Sequence, residues 1–152
     1  MGHIRWIKLI EGGLIAGLVI NVVEYVVNSL FLGERWAAAM RALGRSPEFG
    51  ANQMALFFLW GFLVGIFAIW LYAELMPRYG DRPITAVIAG LVVWFVGYLL
   101  ADVGVVALAL FPRRLIVASL AVGLVEALVA TMSGAWIYHG TVARVSPAAA
   151  KL

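Results

Sequence analysis

The sequence has no cysteine and few charged residues. Without cysteine there are no disulfide bonds, no thiol catalysis and no iron–sulfur cluster held by thiolates. Charged residues make up only 12% of the chain, whereas soluble domains carry about 25%. Water is therefore not the main solvent of this protein. The few basic residues are scattered along the chain, so the sequence predicts no nucleic-acid partner.

The sequence also offers no catalytic pattern. It has no nucleophile beside a base, and its two histidines, His3 and His139, do not have the spacing of metal ligands. We therefore predict no enzyme, no metal site and no cofactor. Two pigments remain as alternatives: a haem held by the two histidines, which both fall near span ends, and a chlorophyll, which accepts Asn, Glu or His ligands.

What the sequence does have is four long apolar segments, in a chain that is 64% hydrophobic. A helix needs about 20 apolar residues to cross a membrane. The sequence therefore predicts an all-α fold, a four-transmembrane-helix bundle with a short interfacial helix between the first two spans. We expect a single transmembrane domain over residues 1–140 and a loose C-terminal tail at 141–152. The predicted spans are about residues 6–32, 47–76, 83–111 and 112–138, and the interfacial helix is residues 34–44.

Turn-forming residues predict where these helices begin, bend and end. Ser46 and Pro47 have the character of an N-cap and a first helical position for the second span, and Asp81 that of an N-cap for the third. Gly44 suits the C-terminal cap of the interfacial helix. Gly104 marks a place where the long third span could bend.

Small residues predict where the helices approach closely. Lipid gives helices no hydrophobic drive to associate, so membrane bundles depend on close packing and on hydrogen bonds between helices. The expected packing positions are Gly13, Gly17, Gly61, Gly65, Gly90 and Gly123.

A faint internal repeat relates the two halves of the chain. Residues 17–20, Gly-Leu-Val-Ile, align with residues 90–93, Gly-Leu-Val-Val, at an offset of 73. Residues 70–72, Trp-Leu-Tyr, align with residues 136–138, Trp-Ile-Tyr, at an offset of 66. An old duplication of a helix pair would explain the match, and chance similarity between apolar sequences is the alternative.

Polar residues inside the apolar segments are the main functional candidates. Asn21, Glu24 and Asn28 share one face of the first span, and lipid cannot satisfy them, so this face must point at protein. Glu24, Asp102 and Glu126 all fall roughly 13–17 Å below the same membrane surface, at 1.5 Å per residue. We expect the stripes around Glu24 and Glu126 to face each other, and Asp102 to face another partner.

These acids allow two interpretations. No Lys or Arg lies at their depth, so the acids must be protonated, share a proton, bind a cation or meet a partner. The functional interpretation is a proton or cation site, or a polar contact with another subunit. The structural interpretation is a neutral glutamate that forms hydrogen bonds with Asn or Ser across helices.

The distribution of basic residues gives only a weak indication of how the chain is oriented in the membrane. With four spans both termini lie on one side, and the two sides carry six and five basic residues. We expect the termini in the cytoplasm. Arg113 and Arg114, in the short turn before the fourth span, are expected to contact lipid headgroups.

Several stretches carry a resemblance to known sequences. They include the run from Gly12 to Glu24, Trp36-Ala-Ala-Ala-Met-Arg-Ala-Leu-Gly44, Trp60-Gly-Phe-Leu-Val-Gly65 and Pro77-Arg-Tyr-Gly80. With these motifs the chain resembles a group of small, uncharacterised bacterial four-helix integral membrane proteins. The resemblance implies four spans and a bacterial cell (inner) membrane, and it implies no activity.

We therefore expect a non-enzymatic accessory or structural subunit of a larger bacterial membrane complex, such as an energy-converting one. Asn21, Glu24 and Asn28 would be its polar contacts, and its partners would be membrane lipids and either other membrane subunits or further copies of itself. The alternative is a small oligomeric proton- or cation-coupled transporter or channel that uses Glu24 and Glu126.

Overall fold

The computed structural model describes residues 4–140, and this part of the chain contains helices and no strand. The all-α prediction is confirmed. His3 and the predicted loose tail lie outside the described residues. The helices are α1 (Trp6–Val26), α2 (Gly33–Ala42), α3 (Ala51–Tyr79), α4 (Pro83–Trp94), α5 (Leu100–Ala107) and α6 (Arg113–His139). A first π-helical segment, Val27–Phe31, continues α1, and a second, Phe95–Leu99, joins α4 to α5.

Four helical stretches are long and apolar enough to cross a membrane. They are Trp6–Phe31, Ala51–Tyr79, Pro83–Ala107 and Arg113–His139, with mean hydropathies between 1.8 and 2.4. The chain is therefore a multi-pass membrane protein with a helical bundle. The short helix α2 lies between the first two spans, and Gly44 follows it with φ of +69°, the left-handed conformation expected of a C-terminal cap.

The predicted start of the second span is wrong. Helix α3 begins at Ala51 instead of Pro47, because the chain first forms a turn in which the backbone N–H of Glu48 donates to Ser46 Oγ at 3.2 Å. The cap is supplied further along, where Gln53 Oε1 accepts a hydrogen bond from Gly50 N at 2.8 Å. At its other end α3 continues past residue 76, through Pro77, to Tyr79.

The predicted details of the third span also need correction. Arg82, and not Asp81, occupies the N-cap position, and Pro83 is the first helical residue. The irregular part of this span is the second π segment rather than Gly104. The span ends at Ala107, short of the expected residue 111, because the chain turns at Ala109, which has a positive φ of 50°.

Glycines bring the backbones of α1 and α3 into direct contact. A Cβ atom on Gly65 would lie 2.2 Å from Gly17 N and 2.6 Å from Gly13 O, so no other residue fits there without moving a helix. The remaining predicted packing glycines are Gly61, Gly90 and Gly123. A Cβ atom on each of them would lie within 3.1 Å of an atom of a neighbouring span.

Helix α1 makes an equally close approach to α6, through two glycines that the sequence reasoning missed. A Cβ on Gly12 would lie 2.6 Å from Gly134 O, and one on Gly134 would lie 2.5 Å from Gly12 O. Helix α1 is therefore held between α3 and α6, and its register against both is fixed by backbone contact.

The two halves of the chain pack alike, at the offsets of the sequence repeat. Gly17 faces Gly61 O and Phe62 Cα, and Gly90 faces Ala127 O and Leu128 Cα, which follow the first pair by 66 residues. The equivalent residues Tyr72 and Tyr138 meet each other, with ring centroids 6.0 Å apart. Contacts of this kind support a duplicated helix pair.

Replacing Gly65 tests the glycine packing. We expect Gly65→Ala to lower the free energy of unfolding by about 1–3 kcal/mol, because a methyl group there overlaps the backbone of α1. The measurement is denaturant unfolding in mixed micelles, followed by tryptophan fluorescence. Gly104→Ala is the matched control, because a Cβ atom on Gly104 would have no atom of another helix within 4 Å. Equal losses of unfolding free energy in the two variants would contradict the packing.

Candidate functional site

Two glutamates from different spans meet inside the bundle. Glu24 on α1 and Glu126 on α6 lie close enough for their carboxyl groups to interact. Glu126 is only 1% exposed. Two neighbouring carboxylates repel each other strongly, so the pair is protonated on one or both groups or holds a cation. We call Glu24 and Glu126 the carboxyl pair.

Each member of the carboxyl pair accepts a hydrogen bond from a π-helical segment. The Tyr98 hydroxyl, in the second π segment, donates to Glu126 Oε1 at 2.6 Å. The Asn28 amide, in the first π segment, donates through Nδ2 to Glu24 Oε2. A π-helical turn shifts the residues that follow it around the helix, and such turns are frequent at functional sites.

Helix α2 reaches the site through Trp36. Its indole Nε1–H donates to Asn28 Oδ1 at 2.9 Å. The indole ring also meets the ring of Phe111 edge to face, with centroids 5.2 Å apart. The short helix outside the spans is thereby connected to the carboxyl pair by two successive hydrogen bonds.

On the other side, the Tyr98 ring is held from two directions. It packs against Trp60 of α3, with ring centroids 5.6 Å apart. It also lies over Gly123, where a Cβ would come within 2.6 Å of Tyr98 Cδ1. The glycine therefore makes room for the ring that places the hydroxyl on Glu126.

Two buried oxygens of α6 find no partner among the described residues, Glu126 Oε2 and Ser119 Oγ. Because Tyr98 donates to the other oxygen of Glu126, Oε2 is the oxygen of this carboxyl group that has no donor. Ser119 lies on the same face of α6, two turns closer to its N-terminus.

Of the other candidates, Asn21 serves a different contact and Asp102 lies apart. Asn21 Nδ2 donates to Gly17 O at 2.9 Å and to Phe58 O at 3.2 Å, which fastens α1 to α3. Asp102 is partly exposed on α5 and has no side-chain hydrogen bond to any described residue. Arg113 and Arg114 are exposed at the start of α6, and their expected contact with headgroups stays a prediction.

Sequence reasoning missed Tyr98 and Trp36. Tyr98 lies in an apolar run, and the π-helical turn around it alters the face that a regular helix would predict. Trp36 was assigned only to an interfacial helix. Trp36 could have been found from its position eight residues after Asn28. The short bend between them brings the indole N–H to the amide oxygen.

A second polar cluster, at the opposite end of the bundle, was also missed. The Tyr72 hydroxyl and His139 Nε2 form a hydrogen bond, and His139 Nδ1 lies 3.9 Å from Asp81 Oδ2. Arg5 Nη2 donates to Tyr138 O at 2.6 Å. These contacts join the ends of α1, α3 and α6. The haem hypothesis also needs His3, which lies outside the described residues.

Within residues 4–140 no three His, Asp or Glu side chains come close enough to hold a metal ion. Comparisons with protein-family models, with curated proteins and with solved structures found no match. The resemblance to bacterial four-helix proteins therefore stays a prediction, and the case for function depends on the carboxyl pair.

Tyr98→Phe tests the hydrogen bond to the carboxyl pair. We expect it to lower the free energy of unfolding by about 1–3 kcal/mol, the usual range for a buried hydrogen bond to an acidic group. Tyr25→Phe, at the equivalent position of the other half, is the control because Tyr25 is 59% exposed. The measurement is again unfolding in mixed micelles.

Gly123→Ala gives an independent check of the same contact. The added methyl group would displace the Tyr98 ring, so the double variant Gly123→Ala/Tyr98→Phe should lose less than the two single losses added together. Simple additivity would show that Gly123 does not position Tyr98.

Proposed function

We propose that this protein is a small proton- or cation-coupled transporter or channel of a bacterial inner membrane, and that the carboxyl pair is its ion site. The observation that carries the proposal is the proximity of two carboxyl groups on different spans, the buried Glu126 and the partly buried Glu24. The resemblance noted in the sequence supports the bacterial membrane.

The charge balance of the bundle supports an ion site. The Lys and Arg ion pairs among the described residues, Lys8–Glu11 and Arg41–Glu34, lie at helix ends and away from the carboxyl pair. A charge at the centre of a bilayer costs about 2.5–3.5 kcal/mol even on lenient scales. The pair is therefore protonated or holds a cation, because two adjacent negative charges would have no basic partner here.

The hydrogen bonds around the carboxyl pair offer a way to couple ion release to motion. Both donors, Asn28 and Tyr98, belong to π-helical segments. Such turns are frequent at functional sites, and a change in their hydrogen bonding would carry the donor side chain around the helix. Release of the ion would strengthen the negative charge that these donors face and so change the balance between the two helical forms.

The route to the site does not pass through the closest helix interfaces. Backbone contact between α1 and α3, and between α1 and α6, leaves no space for a pore through those two interfaces. Ser119, with its buried hydroxyl on the Glu126 face of α6, lies between the site and the end of the bundle that carries Arg113. We place the entry for ions at that end.

Ion flux into proteoliposomes tests the proposal. We expect Glu24→Gln and Glu126→Gln each to abolish flux driven by a pH or cation gradient, because one carboxyl alone cannot replace the pair. Asp102→Asn is the matched control, since this acid lies at similar predicted depth but outside the site. Full flux in both glutamine variants, with loss in Asp102→Asn, would contradict the assignment.

A second candidate function, an accessory subunit of a larger membrane complex, is favoured by one separate observation. Helix α5 has no buried residue, and its acid Asp102 has no partner among the described residues. No atom of another helix lies within 4 Å of the position that a Cβ atom would take on Gly97 or Gly104, in the same half-span. A second chain could cover this face and satisfy the carboxyl group.

Purification from the native membrane in a gentle detergent, followed by mass spectrometry, tests the subunit hypothesis. If it is correct, Asp102→Asn will release the stoichiometric partner chains that copurify with the wild type. Glu24→Gln will retain them, because Glu24 makes its contacts within the chain. A wild-type sample without partners would contradict the subunit hypothesis.

A further inference from the structure

The polar groups around the carboxyl pair distinguish between a proton and a metal cation. A hard cation such as Ca²⁺ takes six or more oxygen ligands. The pair has four carboxyl oxygens, and two of them already accept hydrogen bonds, Glu24 Oε2 from Asn28 and Glu126 Oε1 from Tyr98. The neighbouring side chains thus present hydrogens to the carboxyls where a cation site would present oxygens.

Oδ1 of Asn28 is a neutral oxygen next to Glu24, and it is turned away from the carboxyl pair. Trp36 Nε1–H lies 2.9 Å from this oxygen. An indole nitrogen can only donate, so the atom that it meets must be the amide oxygen. The amide NH₂ group is then forced to face Glu24.

Trp36 is itself held in place by apolar contacts. Its ring meets Phe111 edge to face and packs against the small core of Leu32, Ala39 and Leu115. An indole fixed in this way gives the Asn28 amide one orientation. Trp36 therefore orients the amide that donates to Glu24, although no hydrogen bond joins Trp36 itself to the carboxyl groups.

We propose that the carboxyl pair binds a single proton and rejects metal cations, and that Trp36 is the positioning residue that sets this selectivity by holding Asn28 with its amide oxygen away from Glu24. The inference rests on the proposed ion site and names its ligand. Binding is a plain protonation: the pair of carboxylates takes up one proton, which the two groups share, and no other bond forms or breaks.

Infrared spectroscopy of the carboxyl stretch, recorded against pH, tests the wild type. The full chain in lipid vesicles is titrated in choline chloride, and again with Na⁺ or Ca²⁺ at equal ionic strength. We expect a carboxyl band that disappears in Glu24→Gln and in Glu126→Gln, with a pH midpoint that the metal cations do not move.

Trp36→Phe tests the positioning role. Phenylalanine keeps the contact with Phe111 but removes the N–H, so the Asn28 amide can turn its oxygen towards Glu24. Cations should then compete with the proton and lower the midpoint, by up to roughly one pH unit for each tenfold rise in cation above its dissociation constant. Trp94→Phe is the matched control, because it also loses an indole hydrogen bond, the one of 2.9 Å to Leu120 O, at another site.

Two further variants keep the test decisive. Asn28→Asp places an oxygen opposite Glu24 without touching Trp36, and it should show the same response to cations. Adding Asn28→Ala to Trp36→Phe removes the amide oxygen and should abolish the response.

The outcomes separate this inference from the proposed function. A wild-type midpoint that moves with Na⁺ or Ca²⁺ would overturn proton selectivity and leave a cation-coupled site. A Trp36→Phe midpoint as insensitive to cations as that of the wild type would overturn the role of Trp36. A spectrum without any band that depends on Glu24 and Glu126 would overturn the proposed ion site, and this inference with it.

Discussion

The meeting of two carboxyl groups inside an apolar bundle is the constraint on which the rest of the structure depends. Side by side, two negative charges repel each other, and a membrane interior offers no water to screen them. The chain holds them together because close backbone contacts fix α1 between α3 and α6. Gly12 and Gly134 set the approach of α1 to α6, and Gly65 sets the approach of α3 to α1. A bundle built from bulkier residues would hold the carboxyls apart.

The two halves of the internal repeat pack alike, but they do not contribute the same residues to the site. The repeat places Gly97 at the position equivalent to Glu24, and Trp60 at the position equivalent to Glu126. Only one of the two equivalent helix interfaces therefore carries acids. The other contributes Trp60, whose ring packs against Tyr98 and so supports the hydroxyl that binds Glu126. In the duplicated scaffold, one interface thus carries the two acids, and the other carries the aromatic rings that position the Tyr98 hydroxyl.

Much of this arrangement follows from the sequence, because helix geometry is regular over most of each span. A constant rise per residue was enough to place Glu24 and Glu126 at one depth, and the spacing of small residues was enough to indicate which faces pack. The prediction fails where helices depart from regularity. The π-helical turns displace Asn28 and Tyr98 in ways that no periodicity reveals, and the contact between Trp36 and Asn28 depends on the bend at Leu32. The start of α3 was missed because Gln53, within the helix, supplies the cap that Ser46 was expected to supply.

The most direct measurement is a count of protonated glutamates in the native bundle. Solid-state NMR of protein labelled with ¹³C at the glutamate carboxyls, in lipid bilayers at neutral pH, distinguishes protonated from ionised groups, and aspartates do not contribute. The account predicts one protonated carboxyl per chain, shared by the pair and lost when either member is replaced by glutamine. Glutamates that are all ionised in the wild type, or two separate protonated carboxyls that persist independently in the single variants, would contradict it.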